Sequence, residues 1–129
     1  MDHLVDTCAL LLFLEDDPRL PAAAAARIEA PAARSYVSLV SLWEIAIKVS
    51  LGKLRFDHAD RPDLPDLLTA NGFHLLSPGW DVLRKASFLP PFHRDPFDRV
   101  ILAECQLRGL PVISCDGKFD AYQVTRLWG

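Results

Sequence analysis

Residues Ser41–Leu51 read SLWEIAIKVSL, an almost wholly apolar helical run that carries one acid, Glu44, among Trp43, Ile45, Ala46, Ile47 and Val49. A carboxylate buried alone is costly enough to shift its pKa or to recruit an opposite charge. The fold therefore has to bring Glu44 a partner. Outward from this run, short β-prone stretches alternate with longer helical patterns, the order of an α/β protein. A strand is expected through Leu4 and Val5, a helix from Thr7 to about Glu15 and a second from Pro21 to about Ala30. A strand at Ser35–Ser38 then leads into the Glu44 helix, which ends at Gly52. A helix at Asp63–Asn71, a strand around Phe73–Leu76 and a helix around Trp80–Phe88 follow. Gly52 and Gly72 occupy positions that suit helix C-caps. The loop LPPFHRD precedes a long helix at Pro96–Arg108, which Gly109 closes; PVISC is a strand, and Val124–Trp128 a last short one.

Because each apolar strand is separated from the next by a helix, these elements imply a short parallel central sheet flanked by helices on both faces, an α/β/α arrangement of three layers. Ligands of such sheets bind beyond the carboxyl ends of the strands. Asp6 directly follows Leu4-Val5 and Asp116 directly follows PVISC, so both acids are expected at that edge.

A length of 129 residues suits a single domain over 1–129, and 50% hydrophobic with 24% charged residues excludes a disordered or fibrous chain. Charges and prolines interrupt every apolar run before it could cross a bilayer, and nothing resembles a secretory signal, so no membrane is implied and the cytoplasm is the expected compartment. Cys8, Cys105 and Cys115 are odd in number and form no CxxC, which argues against a disulfide framework or a zinc knuckle; they are expected as small buried apolar residues. The net charge of −3 argues mildly against a nucleic-acid partner. A divalent cation held on four of the acids would reverse the sign of that balance.

Each candidate acid also has an ordinary structural explanation. Ser41-x-x-Glu44 matches a capping box, and Glu44 with Lys48 has the favourable i,i+4 orientation of an ion pair, although the helix reads as starting nearer Ser38. Asp95 before Pro96 is an N-cap, and Asp98 lies in the first turn, where the helix dipole favours negative charge. Asp116-Gly117 suits a turn, and Asp6 suits the cap of the first helix. Brought to one edge, however, two acids from strand ends and two from helices make an all-oxygen site for a hard ion, magnesium or manganese. His93, a lone histidine in a loop, is weak evidence for a ligand.

Four segments carry a further signal: VDT at Val5–Thr7, SLWEIAIK at Ser41–Lys48, HRDPFDRVILAE at His93–Glu104 and SCDGKFDAY at Ser114–Tyr122. In this order, over nearly the whole chain, they resemble the PIN-domain ribonucleases and, more narrowly, the VapC toxins of bacterial toxin–antitoxin pairs. The resemblance implies a PIN-like fold and a magnesium- or manganese-dependent endoribonuclease that acts on RNA, is held in check by a cognate antitoxin and is usually a homodimer. It makes Asp6, Glu44, Asp98 and Asp116 the catalytic acids and metal ligands, with Asp95 as a further contributor. Thr7 and Ser114 match hydroxyl positions that support the metal or its water. Where many relatives carry threonine beside the fourth acid, this chain has Ser114 and Cys115. Lys48, Arg94, Arg99 and Lys118 lie near these motifs as candidate contacts to RNA phosphate.

Three other readings compete. A PIN-domain nuclease in RNA processing, without a toxin role, has the same site. A magnesium-binding receiver domain of signalling would want adjacent acids after the first strand, where this chain has Asp6 followed by Thr7 and Cys8. A non-catalytic interaction module would use the acids as caps and turns and Trp43, Phe88, Phe92, Phe97 and Trp128 as core or interface, the core being the more frequent place for aromatics.

Overall fold

In the computed structural model, which describes residues 1–129, the Glu44 helix starts where Ser38 closes a strand: its hydroxyl accepts from the Val40 N–H as N-cap. This helix, α3 (Leu39–Ser50), follows β2 (Ser35–Ser38) directly. Before them come β1 (His3–Val5), α1 (Thr7–Leu14) and α2 (Ala22–Glu29). After them come α4 (Leu64–Ala70), β3 (Phe73–Leu76), α5 (Trp80–Phe88), α6 (Pro96–Arg108), β4 (Val112–Ile113), a 3-10 turn at Gly117–Ala121 and β5 (Arg126–Leu127). The last two strands are shorter than the apolar runs PVISC and Val124–Trp128 suggest. Asp95 caps α6, accepting from the Phe97 and Asp98 N–H groups, and Pro96 fills the first helical position, where a missing N–H costs nothing. Gly109 ends α6 at φ +66°, a left-handed conformation that a side chain disfavours.

All five strands are parallel, in the order β3-β2-β1-β4-β5. The chain therefore builds outward in one direction from β1 through β2 to β3, and in the other through β4 to β5. The order reverses between β1 and β4, and the crevice beyond that reversal is where doubly wound sheets bind ligands. Side chains alternate across the sheet: Val5, Val37 and Ile113 join a core with Leu10 of α1, Ile45 of α3 and Leu68 of α4, while Leu4 and Val112 face Ile101, Leu102 and Cys105 of α6. Both faces are thus covered, as the sequence pattern implies. The result is that α1, α3 and α6 all open onto the crevice at the ends of β1 and β4. No helix is long and apolar enough to cross a membrane.

Several expectations are corrected here. Trp43, Phe88 and Phe92 are 61, 83 and 60% exposed, so three of the five aromatics expected in the core lie at the surface. Trp43 instead rests edge-on against Phe97 with ring centroids 5.4 Å apart. Cys8 and Cys115 are exposed and only Cys105 is buried, because the first two lie just past strand ends, where the chain leaves the sheet. Ser41 does not cap its helix; it lies inside α3 and accepts a hydrogen bond of 2.9 Å from the Thr7 hydroxyl.

Candidate functional site

The question that Glu44 poses has half an answer in its own helix. Its carboxylate is 4% exposed, and one oxygen takes the Lys48 ammonium at 2.5 Å, the i,i+4 pair. The other oxygen, Oε1, is buried with no hydrogen-bond partner. Buried carboxylate oxygens are rarely left so; Glu104 Oε1, beside Arg108 in α6, is the other one, and of the two glutamates it is Glu44 that lines a cleft. The cleft is about 600 Å³ and is lined by Asp6, Glu44, Asp95, Asp98 and Asp116, with Thr7, Cys8, Lys48, Lys53 and Cys115 around them.

Each acid arrives for a local reason. Asp6, the first residue past β1, caps α1 by accepting from the Ala9 N–H at 2.8 Å. Asp116, past β4, accepts from the Lys118 N–H at 3.0 Å, while its own N–H donates to the Ser114 hydroxyl. Asp95 spends one oxygen on the α6 cap, and Asp98 stands one turn further on. The capping explanations are therefore correct for Asp6, Asp95 and Asp116. They use part of each carboxylate and leave the cluster intact.

Crowding shows in the acids' affinity for protons. Burial pushes the Asp98 carboxyl from an ordinary 3.8 up to about 8, with Asp95, Asp6, Glu44 and Asp116 adding to the rise. Burial likewise raises Asp6 to about 6; hydrogen bonds from Ser114 and Ala9 oppose the rise, and Asp116 and Glu44 reinforce it. Such convergence of like charges is relieved by a cation, and shifts of this size concentrate at functional sites.

His93 has a larger place here than its isolation in the sequence suggests. Its Nε2 lies 2.8 Å from Asp116 Oδ2 and 3.0 Å from Asp98 Oδ2, and it is almost fully buried. The Asp95 N–H donates to Nδ1, which makes Nδ1 the acceptor and puts the ring proton on Nε2, facing the two carboxylates. His93, Asp98 and Asp116 together offer three ligand atoms within 4.8 Å of one another. What places the ring is tertiary: the His93 N–H donates at 2.7 Å to the Tyr122 hydroxyl, which in turn donates to the Pro90 carbonyl. No local pattern in LPPFHRD encodes that contact.

The basic candidates divide. Lys48 is committed to Glu44, while Arg94 and Lys118 are exposed beside the site. Arg99 is not free for phosphate. Its guanidinium donates to the carbonyls of Ala86, Ser87, Leu89, Pro90 and His93, so it caps the end of α5 and holds the following bend. Lys53, which the motifs did not single out, lines the opposite wall of the cleft.

A family model described as the PIN domain matches residues 3–124. The chain belongs to the PIN domain family. This sets aside the receiver reading. No curated protein matches the sequence. Among solved structures, this PIN domain is similar to a chain of a toxin–antitoxin complex from Klebsiella pneumoniae, with 18% identity, a TM-score of 0.65, and 97% of this chain and 95% of that one covered. It is similar to a chain of VapBC2 from Rickettsia felis bound to a DNA fragment from their promoter, at 11% identity, TM-score 0.72 and full coverage of both chains. A chain of VapBC-1 from nontypeable Haemophilus influenzae matches at 15% identity and TM-score 0.67, over 98% of this PIN domain and 97% of that chain. At these identities the likeness is one of fold.

Proposed function

We propose that this PIN domain, a single unit over residues 1–129, is a divalent-metal-dependent endoribonuclease of the VapC type, hydrolysing RNA phosphodiester bonds and neutralised by a cognate antitoxin. The observation that carries the reading is the convergence of Glu44 and four aspartates on one cleft, where Asp98 is raised to about 8 and Asp6 to about 6. The donor set fits a hard ion. Carboxylate oxygens from Asp6, Glu44, Asp98 and Asp116 suit magnesium or manganese, with Asp95 offering the oxygen that its cap leaves free, while His93 orients Asp98 and Asp116 through its Nε2–H. Bound there, the ion would make a water more acidic and offset charge on the phosphate oxygens.

The residues do the rest by placement. Asp6 and Asp116 are fixed by backbone donors, so their free oxygens keep one orientation. Ser114 links the two strand ends by hydrogen bonding to Asp6 and accepting from the Asp116 N–H. Thr7 donates to Ser41 and so holds the start of α1 against α3, which keeps Asp6 and Glu44 in register. Glu44 and Asp98 are suited to orient a water for in-line attack, and no side chain is needed as nucleophile. Lys48 and Lys53 on the cleft wall, with Arg94 and Lys118 beside it, offer positive charge to the RNA backbone.

The three toxin–antitoxin complexes of like fold support an antitoxin partner, and a homodimer in the cytoplasm accords with that setting. The deciding experiment is an assay of the purified protein on total RNA with magnesium, with manganese and with EDTA, beside the Asp6→Asn variant. Cleavage by the wild type with metal, lost in EDTA and in the variant, is expected. Cleavage that survives in EDTA would refute the metal mechanism, and unimpaired growth on expression of the wild type alone would move the role from toxin to RNA processing.

A further inference from the structure

One face of the 3-10 turn is given over to a single histidine. Side chains three residues apart eclipse one another along a 3-10 helix. Asp116 caps the turn at Gly117–Ala121, Phe119 lies inside it and Tyr122 closes it, so these three stand at that spacing. All three meet His93. Asp116 Oδ2 lies 2.8 Å from the ring Nε2, the Phe119 ring packs on the imidazole with centroids 5.6 Å apart, and the Tyr122 hydroxyl accepts the His93 backbone N–H at 2.7 Å. Phe119 and Tyr122 are both buried.

The Tyr122 hydroxyl is not spent on its own turn, whose end is closed by the Tyr122 backbone N–H donating to the Phe119 carbonyl. It reaches instead into the loop before α6, taking the His93 N–H and giving its own proton to the Pro90 carbonyl. Arg99 grips the same loop by its carbonyls, that of Pro90 at 3.0 Å and that of His93 at 2.9 Å, but holds no N–H. Hydroxyl and guanidinium thus fix the two sides of the His93 backbone separately. With Phe119 under the ring, its Nε2–H falls between Asp116 Oδ2 and Asp98 Oδ2, the latter at 3.0 Å. That shared proton offsets the repulsion of the two carboxylates and ties the end of β4 to the first turn of α6.

We propose that Tyr122 is a positioning residue for the acidic cleft: its hydroxyl, acting through His93, aims the shared Nε2–H and so sets the separation of Asp98 and Asp116. The aim of the ring stands on its own, whereas the consequence for a bound ion rests on the nuclease reading. Magnesium and manganese favour octahedral oxygen sites, so a change in the separation of two ligands weakens binding. Hydrogen-bond partners of metal ligands contribute roughly ten- to a hundredfold in affinity; Tyr122, one contact further out, belongs at the lower end, about tenfold.

Tyr122→Phe keeps the ring and removes only the oxygen. Two readouts are made on the full chain at a temperature where circular dichroism shows every variant folded. The first uses no metal: NMR of protein labelled with ring-15N histidine follows the His93 Nε2 proton, assigned by its loss in His93→Ala. A proton protected from solvent exchange in the wild type, and lost to exchange in Tyr122→Phe, is expected. The second titrates manganese, without RNA, across the double-mutant cycle of Tyr122→Phe and His93→Ala. Removing the hydroxyl should weaken manganese binding about tenfold when the imidazole is present and less than about twofold when it is absent. The backbone N–H that Tyr122 accepts remains in His93→Ala, so the loss of thermal stability should be the same in both backgrounds. A purely structural role would therefore leave no such difference in manganese binding.

The proposal is overturned if the Nε2 proton is equally protected in Tyr122→Phe, or if manganese affinity falls by the same factor with and without the imidazole. A wild type that binds no manganese, yet whose Nε2 proton depends on the Tyr122 hydroxyl, would uphold the positioning role and refute the metal reading instead.

Discussion

Asp98→Asn, made without metal, separates a functional cluster from an ordinary set of caps, because it should strengthen the fold while removing a functional acid. A carboxyl whose folded pKa lies above its unfolded value costs nothing when both states are protonated. The cost begins above the unfolded value of 3.8, grows through the neutral range and levels off above the folded value of about 8. At pH 7 the unfolded chain must take up a proton against roughly three pH units, which at about 1.4 kcal/mol per unit is about 4 kcal/mol. Asparagine carries no such cost. Allowing for the imperfect fit of its amide beside His93, the variant should gain roughly 2–4 kcal/mol at pH 7–8, and little at pH 4. For a chain of this size that is a rise on the order of 10 °C in melting temperature. The assay is thermal and urea unfolding in EDTA from pH 4 to pH 9, repeated in magnesium. Wild-type stability should fall as pH rises through that window and the variant's should stay flatter, whereas magnesium should stabilise the wild type and leave the variant nearly unchanged. A variant less stable than the wild type at pH 8 in EDTA would refute the reasoning.

Other substitutions sort the remaining roles. His93→Ala removes the one donor shared by Asp98 and Asp116, so the metal-free protein should lose about 1–3 kcal/mol by urea titration, opposite in sign to Asp98→Asn, and saturating magnesium should narrow the gap. Arg99→Ala strips five carbonyls of their donor and should cost about 2–4 kcal/mol in denaturant midpoint, with RNA cleavage falling only in step with the folded fraction when temperature is varied. Lys118→Ala, at an exposed position, should leave the melting temperature unchanged and lower the salt slope of RNA binding by about 1 in a filter-binding series. An unchanged slope would remove Lys118 from the phosphate path.

What the sequence discloses follows from how local each determinant is. Asp6, Asp95 and Ser38 announce helix starts through hydrogen bonds two or three residues away, and Gly109 announces an end through its φ, so element boundaries were legible within a residue or two. The convergence of Asp6 and Asp116 was legible because both follow apolar strands directly and a parallel sheet puts such positions on one edge. His93 was not legible, because its position depends on Tyr122, 29 residues away, reaching the Pro90–His93 bend. Arg99 misled for the same reason: a cation beside a catalytic motif suggests phosphate, and only the curl of the preceding loop shows its five backbone acceptors. Cys8 and Cys115 were misjudged because residue-type burial is an average, and strand ends at a cleft depart from it.

One guanidinium makes the two walls of the cleft mechanically unequal. By clasping the final turn of α5, the bend after it and the root of α6, Arg99 fuses three pieces of chain into a rigid jaw, with a histidine and two aspartates as its teeth. The facing wall, where Lys53 and Leu54 enter a stretch without regular structure, has no comparable clasp. Insertions and deletions are therefore poorly tolerated between Pro90 and Arg94 but can be absorbed between Gly52 and Arg61, and a descendant of this protein that acquires a different ligand would do so by reshaping that looser side.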